Sequence, residues 1–363
     1  AVLYWLLVPL RDQFFFFNVF RYITVRTALA GLTALVLSFL LGPWLIRLLH
    51  RRQIGQEIRE DGPKSHLAKK GTPSMGGLLI ILCTVVPTLV WGNLANAYVW
   101  IAVAAMVLFG LIGLLDDALK VSRKKSLGLR PGQKILLQVL RAAAVGLVLV
   151  WMGLHGQFSL NLSFPFLKKW VPYLGWFYLP WIAFILVGSS NAVNLADGLD
   201  GLAIGLSLIS ATALTALTYV AGHALWSQYL NIVRVPLAAE LTVFAGAFSG
   251  ACLGFLWFNC HPAQVFMGDV GALSIGGTLA VIALLIKQEF LLFTVAGVFI
   301  LEALSVVLQV SYFKISKGRR IFKMAPLHHH FELSGWPESQ VVVRFWILGI
   351  VFALFSLATL KLR

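Results

Sequence analysis

Charge is what this sequence has least of. Only 12% of its 363 residues are charged against 59% hydrophobic, and the mean hydropathy is +0.86. A chain this poor in charge cannot cover a water-soluble globule with polar surface, which excludes the ordinary soluble domain classes. Acids are scarcer than bases: 14 Asp and Glu stand against 29 Lys and Arg, for a net charge of +15. Cysteine is nearly absent. Cys83, Cys252 and Cys260 are singletons without pair or metal spacing, so no disulfide framework is expected. No internal repeat and no Ser/Gly-rich linker interrupts the chain, which reads as one domain over residues 1–363.

What the sequence has in abundance is apolar runs. They fall at Thr27–Ile46, Met75–Leu94, Tyr98–Leu115, Ile135–Leu154 and Pro172–Ser190, then at Gly201–Ala221, Leu237–Phe258, Val270–Ile286, Phe290–Phe313 and Val341–Leu360. Each is long enough to cross the hydrocarbon core. The expected fold is therefore all-α, a polytopic integral membrane protein with about ten transmembrane helices. The stretch before Arg21 is broken by Arg11 and Asp12 and lacks a small-residue cleavage site, so an interfacial segment is expected there and not a signal peptide.

The positive charge is unevenly placed. Loops after the odd-numbered runs carry 18 Lys and Arg, whereas those after the even-numbered runs carry four: Lys168, Lys169, Arg234 and Lys287. This bias places the first set in the cytoplasm and both termini on the periplasmic side. It also accounts for the net charge without any nucleic-acid partner.

Carboxylates at membrane depth are costly and suggest function. Asp116, Asp117, Asp197, Asp200 and Asp269 all sit at run ends on the expected cytoplasmic face, where a bundle could gather them. Their mutual repulsion would call for cations, and hard oxygen ligands suit Mg²⁺ bound together with substrate phosphates. Blander roles stay open. Asp116-Asp117 could be a solvated helix end beside Lys120, and Asp197-Gly198-Leu199-Asp200-Gly201 could be a turn and helix cap. A spacing of three also lets Asp197 and Asp200 face one way on a helical turn.

Lys69 and Lys70 precede Gly71-Thr72-Pro73-Ser74-Met75-Gly76-Gly77, and Lys120, Lys124, Lys125 and Lys134 follow the aspartate pair. Such lysines enforce topology, attract anionic lipid or clamp a diphosphate, and the sequence does not choose among these. In Ala325-Pro326-Leu327-His328-His329-His330-Phe331-Glu332, consecutive histidines do not share one helical face, which argues against a zinc site made from the triplet alone. Hydrogen bonds to phosphate, or proton transfer, fit better. Phe266, three residues before Asp269, could stack on a nucleobase or pack at the interface. Glu302, inside the ninth run, is a further intramembrane acid without an assigned role.

Several of these strings, in this order, resemble the polyprenyl-phosphate N-acetylhexosamine-1-phosphate transferases. They are the Gly71–Gly77 motif, Asp116-Asp117, Asn191-Ala192-Val193-Asn194-Leu195-Ala196-Asp197-Gly198-Leu199-Asp200-Gly201 and Phe266-Met267-Gly268-Asp269. The histidine triplet, with Met324 before it and Gly335-Trp336 after, is similar to the branch that uses UDP-N-acetylmuramoyl-pentapeptide. The likeness runs from about Asn18 onward, with Ser74 and Ala196 standing where the family pattern leads one to expect threonine. The resemblance implies undecaprenyl phosphate as acceptor, lipid I and UMP as products, Mg²⁺ as cofactor, a homodimer and the bacterial inner membrane. It assigns Asp269 to the metal, and Lys69, Gly198, Leu199, Asp200, Asn259 and Phe266 to a uridine pocket. Asn191, Asp197, His328 and His329 would line the phosphosugar end, and Asp116 and Asp117 would lie beside the lipid phosphate. Competing readings are a UDP-N-acetylglucosamine transferase of the same chemistry and, from another class, a lipid transporter or flippase.

Overall fold

The computed structural model describes residues 8–12, 14–51, 71–123, 128–164, 167 and 170–362, with isolated positions 3 and 6 before them. Its long elements follow the apolar runs: α1 (Ile23–Arg51), α2 (Gly77–Trp91), α3 (Ala97–Arg123), α4 (Pro131–Leu154), α5 (Tyr178–Ala196) and α6 (Leu202–Gly222). A short α7 (Ala224–Leu230) precedes α8 (Ala238–Asn259) and α9 (Gly268–Leu285). The ninth run, expected as one helix, breaks at Ala296 into α10 (Glu289–Val295) and α11 (Gly297–Ile315). A short α12 (Leu327–Glu332) carries the histidines and leads to α13 (Glu338–Thr359). Among the described residues, nine helices are long and apolar enough to span a bilayer; α2, with 15 residues, is the shorter tenth.

The centre of the bundle is α9. Its sequence is apolar all round, and every residue from Val270 to Leu285 is buried. It packs on α3, α5 and α2, while α8 packs on α1 and α6. Without a hydrophobic drive between helices in lipid, close contact depends on small residues. Gly113 of α3 is the clearest case: a Cβ there would lie 2.1 Å from the carbonyl oxygen of Asp269. That glycine lets the first turn of α9 rest directly on α3, one turn from Asp116 and Asp117.

The end of the bundle away from these aspartates is locked by two ion pairs. The Arg26 guanidinium meets both oxygens of Glu240 at 2.6 and 2.7 Å, and Glu240 also accepts from the Asn93 amide at 3.1 Å. These contacts join the starts of α1 and α8 to the end of α2. Lys287, counted above with the loop cations, is only 2% exposed and is not a topology signal. Its ammonium lies 2.8 Å from Glu289 Oε1, donates to the Tyr178 hydroxyl at 2.5 Å and faces the Phe158 and Tyr178 rings. The Tyr178 hydroxyl in turn donates to Glu289. Burial pulls the Lys287 pKa down, and the neighbouring Glu289 opposes that shift.

Candidate active site

Asp116 and Asp117 do not end α3. The helix runs on to Arg123, which puts Lys120 one turn beyond the pair on the same helix. Both aspartates are buried, at 3% and 4% exposure. Asp116 Oδ1 accepts from the Leu129 amide at 2.8 Å, and Asp117 Oδ2 accepts from the Val270 amide at 3.2 Å. The second bond ties α3 to the start of α9, whose first turn supplies Asp269. A helix N-terminus favours a carboxylate at that position.

Lys120 stands among all three carboxylates. Its Nζ lies 2.7 Å from Asp116, 3.3 Å from Asp117 and 2.6 Å from Asp269. Lys134, in the first turn of α4, reaches the same Asp269 oxygen at 3.1 Å, and Asn194 of α5 donates to the other. One oxygen from each aspartate can be chosen so that all three lie within 4.8 Å of one another. Three hard anionic donors around one point suit a divalent cation bound by oxygen, and the Lys120 ammonium meets part of that demand for positive charge.

The five aspartates do not form one cluster. Residues 197–201 form turns and not a helical turn, with Gly201 at φ +78°, so the i,i+3 spacing does not align Asp197 with Asp200. Asp200 instead accepts from His261 Nδ1 at 3.2 Å and from the Ala263 amide at 3.1 Å, and its own amide donates to Glu338 at 2.9 Å. Next to it, the Gly201 amide donates to Asn259 Oδ1 at 3.1 Å, while Asn259 Nδ2 donates to the Val265 carbonyl at 2.8 Å. Phe266 is half-buried and held by its backbone, which pairs with Pro73 and Gly76 at 2.8 and 2.9 Å. Leu199, Asp200, Asn259 and the 265–266 segment thus share one corner. Glu338 and His261, which complete it, carried no motif signal in the sequence.

Asp197 lies between the two groups. Burial raises its carboxyl to about 8; Asp269, Asp117 and Asp200 push the same way, and Lys120 opposes them. A free aspartate titrates near 3.9, so between about pH 4 and pH 8 the folded chain holds a proton that the unfolded chain has lost. Stability contributed by this group is therefore present at low pH and falls as pH rises through that window, by at most about 1.4 kcal/mol per pH unit. With divalent ions chelated, Asp197→Asn is expected to flatten the decline in melting temperature between pH 5 and 8. Parallel curves for variant and wild type would remove Asp197 from the account.

The histidines face three ways. His328 is fully buried beneath the 197–201 turn: a Cβ on Gly198 would fall 2.3 Å from its Nε2. Its Nδ1 and its backbone nitrogen each lie 3.3 Å from Glu302 Oε1, which gives that unassigned acid a place behind the histidine. His329 Nδ1 lies 2.8 Å from Glu332, and His330 accepts from the Lys323 amide at 3.1 Å, turned away from the other two. Asn191 donates to Gln138 at 2.7 Å and to the Val187 carbonyl at 2.8 Å, a fully buried partner that the sequence did not reveal. Lys69, Lys70, Lys124 and Lys125 lie outside the described residues.

An apolar helical bundle with carboxylates, lysines and histidines gathered at one end defines an integral membrane enzyme working on charged groups at the membrane boundary. The comparisons make this specific. Residues 99–287 match the glycosyl transferase family 4 model, and residues 69–81 match phospho-N-acetylmuramoyl-pentapeptide-transferase signature 1. Over the whole of both chains the sequence is 54% identical to the phospho-N-acetylmuramoyl-pentapeptide-transferase of Koribacter versatilis. It is 56% identical to that of Desulfatibacillum aliphaticivorans and 52% identical to that of Thermodesulfovibrio yellowstonii, again over whole chains. The chain belongs to the phospho-N-acetylmuramoyl-pentapeptide-transferase family and is a multi-pass membrane transferase of peptidoglycan biosynthesis.

Proposed function

We propose that the chain carries out its transfer by direct displacement at the acidic cluster, with Mg²⁺ as cofactor and the cluster facing the cytoplasm. The reaction moves phospho-N-acetylmuramoyl-pentapeptide from its UDP carrier to undecaprenyl phosphate, giving lipid I and UMP. A lipid phosphate oxygen bonds to the β-phosphorus of the donor while the bond from that phosphorus to the bridging oxygen breaks, and UMP leaves with the electron pair. The convergence of Asp116, Asp117 and Asp269 within 4.8 Å carries the reading. Asp269 is the principal candidate to hold the metal, with Asp117 beside it. When bound, Mg²⁺ supplies positive charge against the donor diphosphate and the departing UMP.

The protein's own part is placement and electrostatics. A phosphate monoester is already largely ionised at neutral pH, so Asp116 has more to do in orienting the acceptor than in removing a proton. Lys120 and Lys134 bring two positive charges to the diphosphate. Lys69, Gly198, Leu199, Asp200, Asn259 and Phe266 would hold uridine, the last by stacking, and Lys124 would contribute to substrate binding. Asn191, Asp197, His328 and His329 would hold the phosphosugar, with His328 fixed by Glu302. The cation-rich loops at the same end as the acidic cluster support a cytoplasmic site in the bacterial inner membrane with both termini outside. The family likeness supports a homodimer.

Purified enzyme with Mg²⁺ and UDP-N-acetylmuramoyl-pentapeptide is expected to release UMP only after undecaprenyl phosphate is added, and to release none from UDP-N-acetylglucosamine. Donor without acceptor separates this from a two-step route through a phosphosugar on Asp117 or Asp269. Labelled enzyme trapped in that experiment would overturn direct displacement.

A further inference from the structure

On the flank of the bundle, α11, α12 and α13 enclose a cavity of about 420 Å³. Its wall is apolar, with Leu301 of α11, Leu327 and Phe331 of α12 and Leu348 of α13 in the lining. Leu301 and Leu348 are 41% and 45% exposed, so the cavity opens sideways, where the bundle meets lipid. Arg344 is the single charged residue in the lining, and it makes no hydrogen bond or ion pair with a described residue.

Arg344 lies six positions into α13 from Glu338, about 9 Å along the helix axis. Helical side chains lean toward the N-terminus, and this one folds back until its guanidinium sits 4.0 Å over the Trp336 ring. A cation on a lipid-facing helix is costly unless it reaches headgroup level or meets a counter-charge. The geometry supplies the reach and leaves the counter-charge to a ligand. Arg344 lines the slot with its aliphatic stem and holds its guanidinium over Trp336 at the edge. An apolar slot with a cation at its edge has the form of an amphiphile's binding site, with one anionic head and an aliphatic tail.

We infer that this cavity binds an anionic glycerophospholipid, its phosphodiester on Arg344 and one acyl chain between α11 and α13. The acceptor substrate does not suit it. Leu327 and Phe331 of α12 form the cavity wall, whereas His328 turns toward Glu302 and Gly198. A polyprenyl phosphate with its head on Arg344 would be held across α12 from the site that must attack the donor. The bound lipid would brace α12 through Phe331, whose ring stacks on Trp336 at 4.6 Å, and so would steady the helix that carries His328.

Native mass spectrometry on the full chain, released from bilayer nanodiscs of phosphatidylcholine and phosphatidylglycerol in equal parts, tests this by binding and not by activity. The wild type is expected to retain phosphatidylglycerol over phosphatidylcholine by roughly fivefold, the weight of one basic contact at a membrane surface. Arg344→Gln should retain the two lipids equally, and Arg344→Lys should keep most of the preference. Leu348→Trp, which fills the slot and leaves the charge in place, should lose the lipid. It carries the test alone should Arg344→Gln fail to fold. An undiminished preference in Arg344→Gln, lipid retained by Leu348→Trp, or one-for-one displacement of phosphatidylglycerol by undecaprenyl phosphate would each overturn the inference.

Discussion

The Asp269→Asn variant is expected to release UMP at roughly one-thousandth of the wild-type rate at saturating substrate while melting within a few degrees of it. The side chains match in size, and the surrounding α9 packing is untouched. What disappears is one negative charge that meets Lys120 at 2.6 Å and Lys134 at 3.1 Å and that stands within 4.8 Å of two further carboxylates. Losing a single preorganised electrostatic contact typically costs 10²- to 10³-fold in rate. A charge that also anchors the metal belongs at the upper end of that range. The loss should fall on kcat and not on donor KM, because the group acts on charge that develops during transfer. Asp200→Asn should show the opposite split, since its carboxylate sits in the other corner with His261 and Ala263. A fall of less than about tenfold for Asp269→Asn would separate this residue from the chemistry.

Glu289→Ala is expected to destabilise the fold by about 3–5 kcal/mol, the penalty for stranding one partner of a buried ion pair. Glu289 is fully buried, and the Lys287 ammonium 2.8 Å away has no route to water. The aromatic faces of Phe158 and Tyr178 soften that loss without replacing a carboxylate. Removing both charges together, as Lys287→Met with Glu289→Gln, should recover much of the stability, because no uncompensated charge remains. Thermal melts of Lys287→Met, Glu289→Gln and the double variant in one bilayer composition give the coupling directly. A loss in the double variant equal to the sum of the two single losses would mean that the pair is not coupled.

The spans were legible in the sequence because lipid admits few alternatives. A backbone crossing hydrocarbon must satisfy itself, so length and apolarity nearly suffice to place helices. Details that depend on partners far along the chain were not legible. The ninth run breaks at Ala296 beside Gly297, and a single glycine inside an apolar run is too weak a signal to mark a break by itself. Lys287 reads as a loop cation until Tyr178, from more than one hundred positions earlier, is seen beside it. Asp116 and Asp117 read as a helix end because α3 turns polar there, yet the helix continues to Arg123 and positions Lys120.

The site was half visible for the same reason. Aspartates crowded at one end of an apolar bundle announce a cation or phosphate site, and three of the five meet as expected. The division of Asp197 from Asp200 follows from α5 ending at Ala196: Asp197 has already left helical geometry at φ −82° and ψ 58°, and residues 197–201 are turns where spacing alone suggested a helical face. Glu302 was noticed as an intramembrane acid, but its partner His328 lies on a separate short helix 26 positions on. Glu338 and His261 had no signal at all, since a lone acid at a helix start is usually a cap.

A Mn²⁺ titration followed by electron paramagnetic resonance, on the wild type and on single asparagine variants of the aspartates, addresses the acidic cluster most directly. One ion per chain is expected for the wild type. Affinity should weaken by at least about tenfold in Asp116→Asn, Asp117→Asn and Asp269→Asn and stay unchanged in Asp200→Asn. Unaltered binding in the first three variants, or loss of binding in Asp200→Asn, would contradict the assignment of the metal to this cluster.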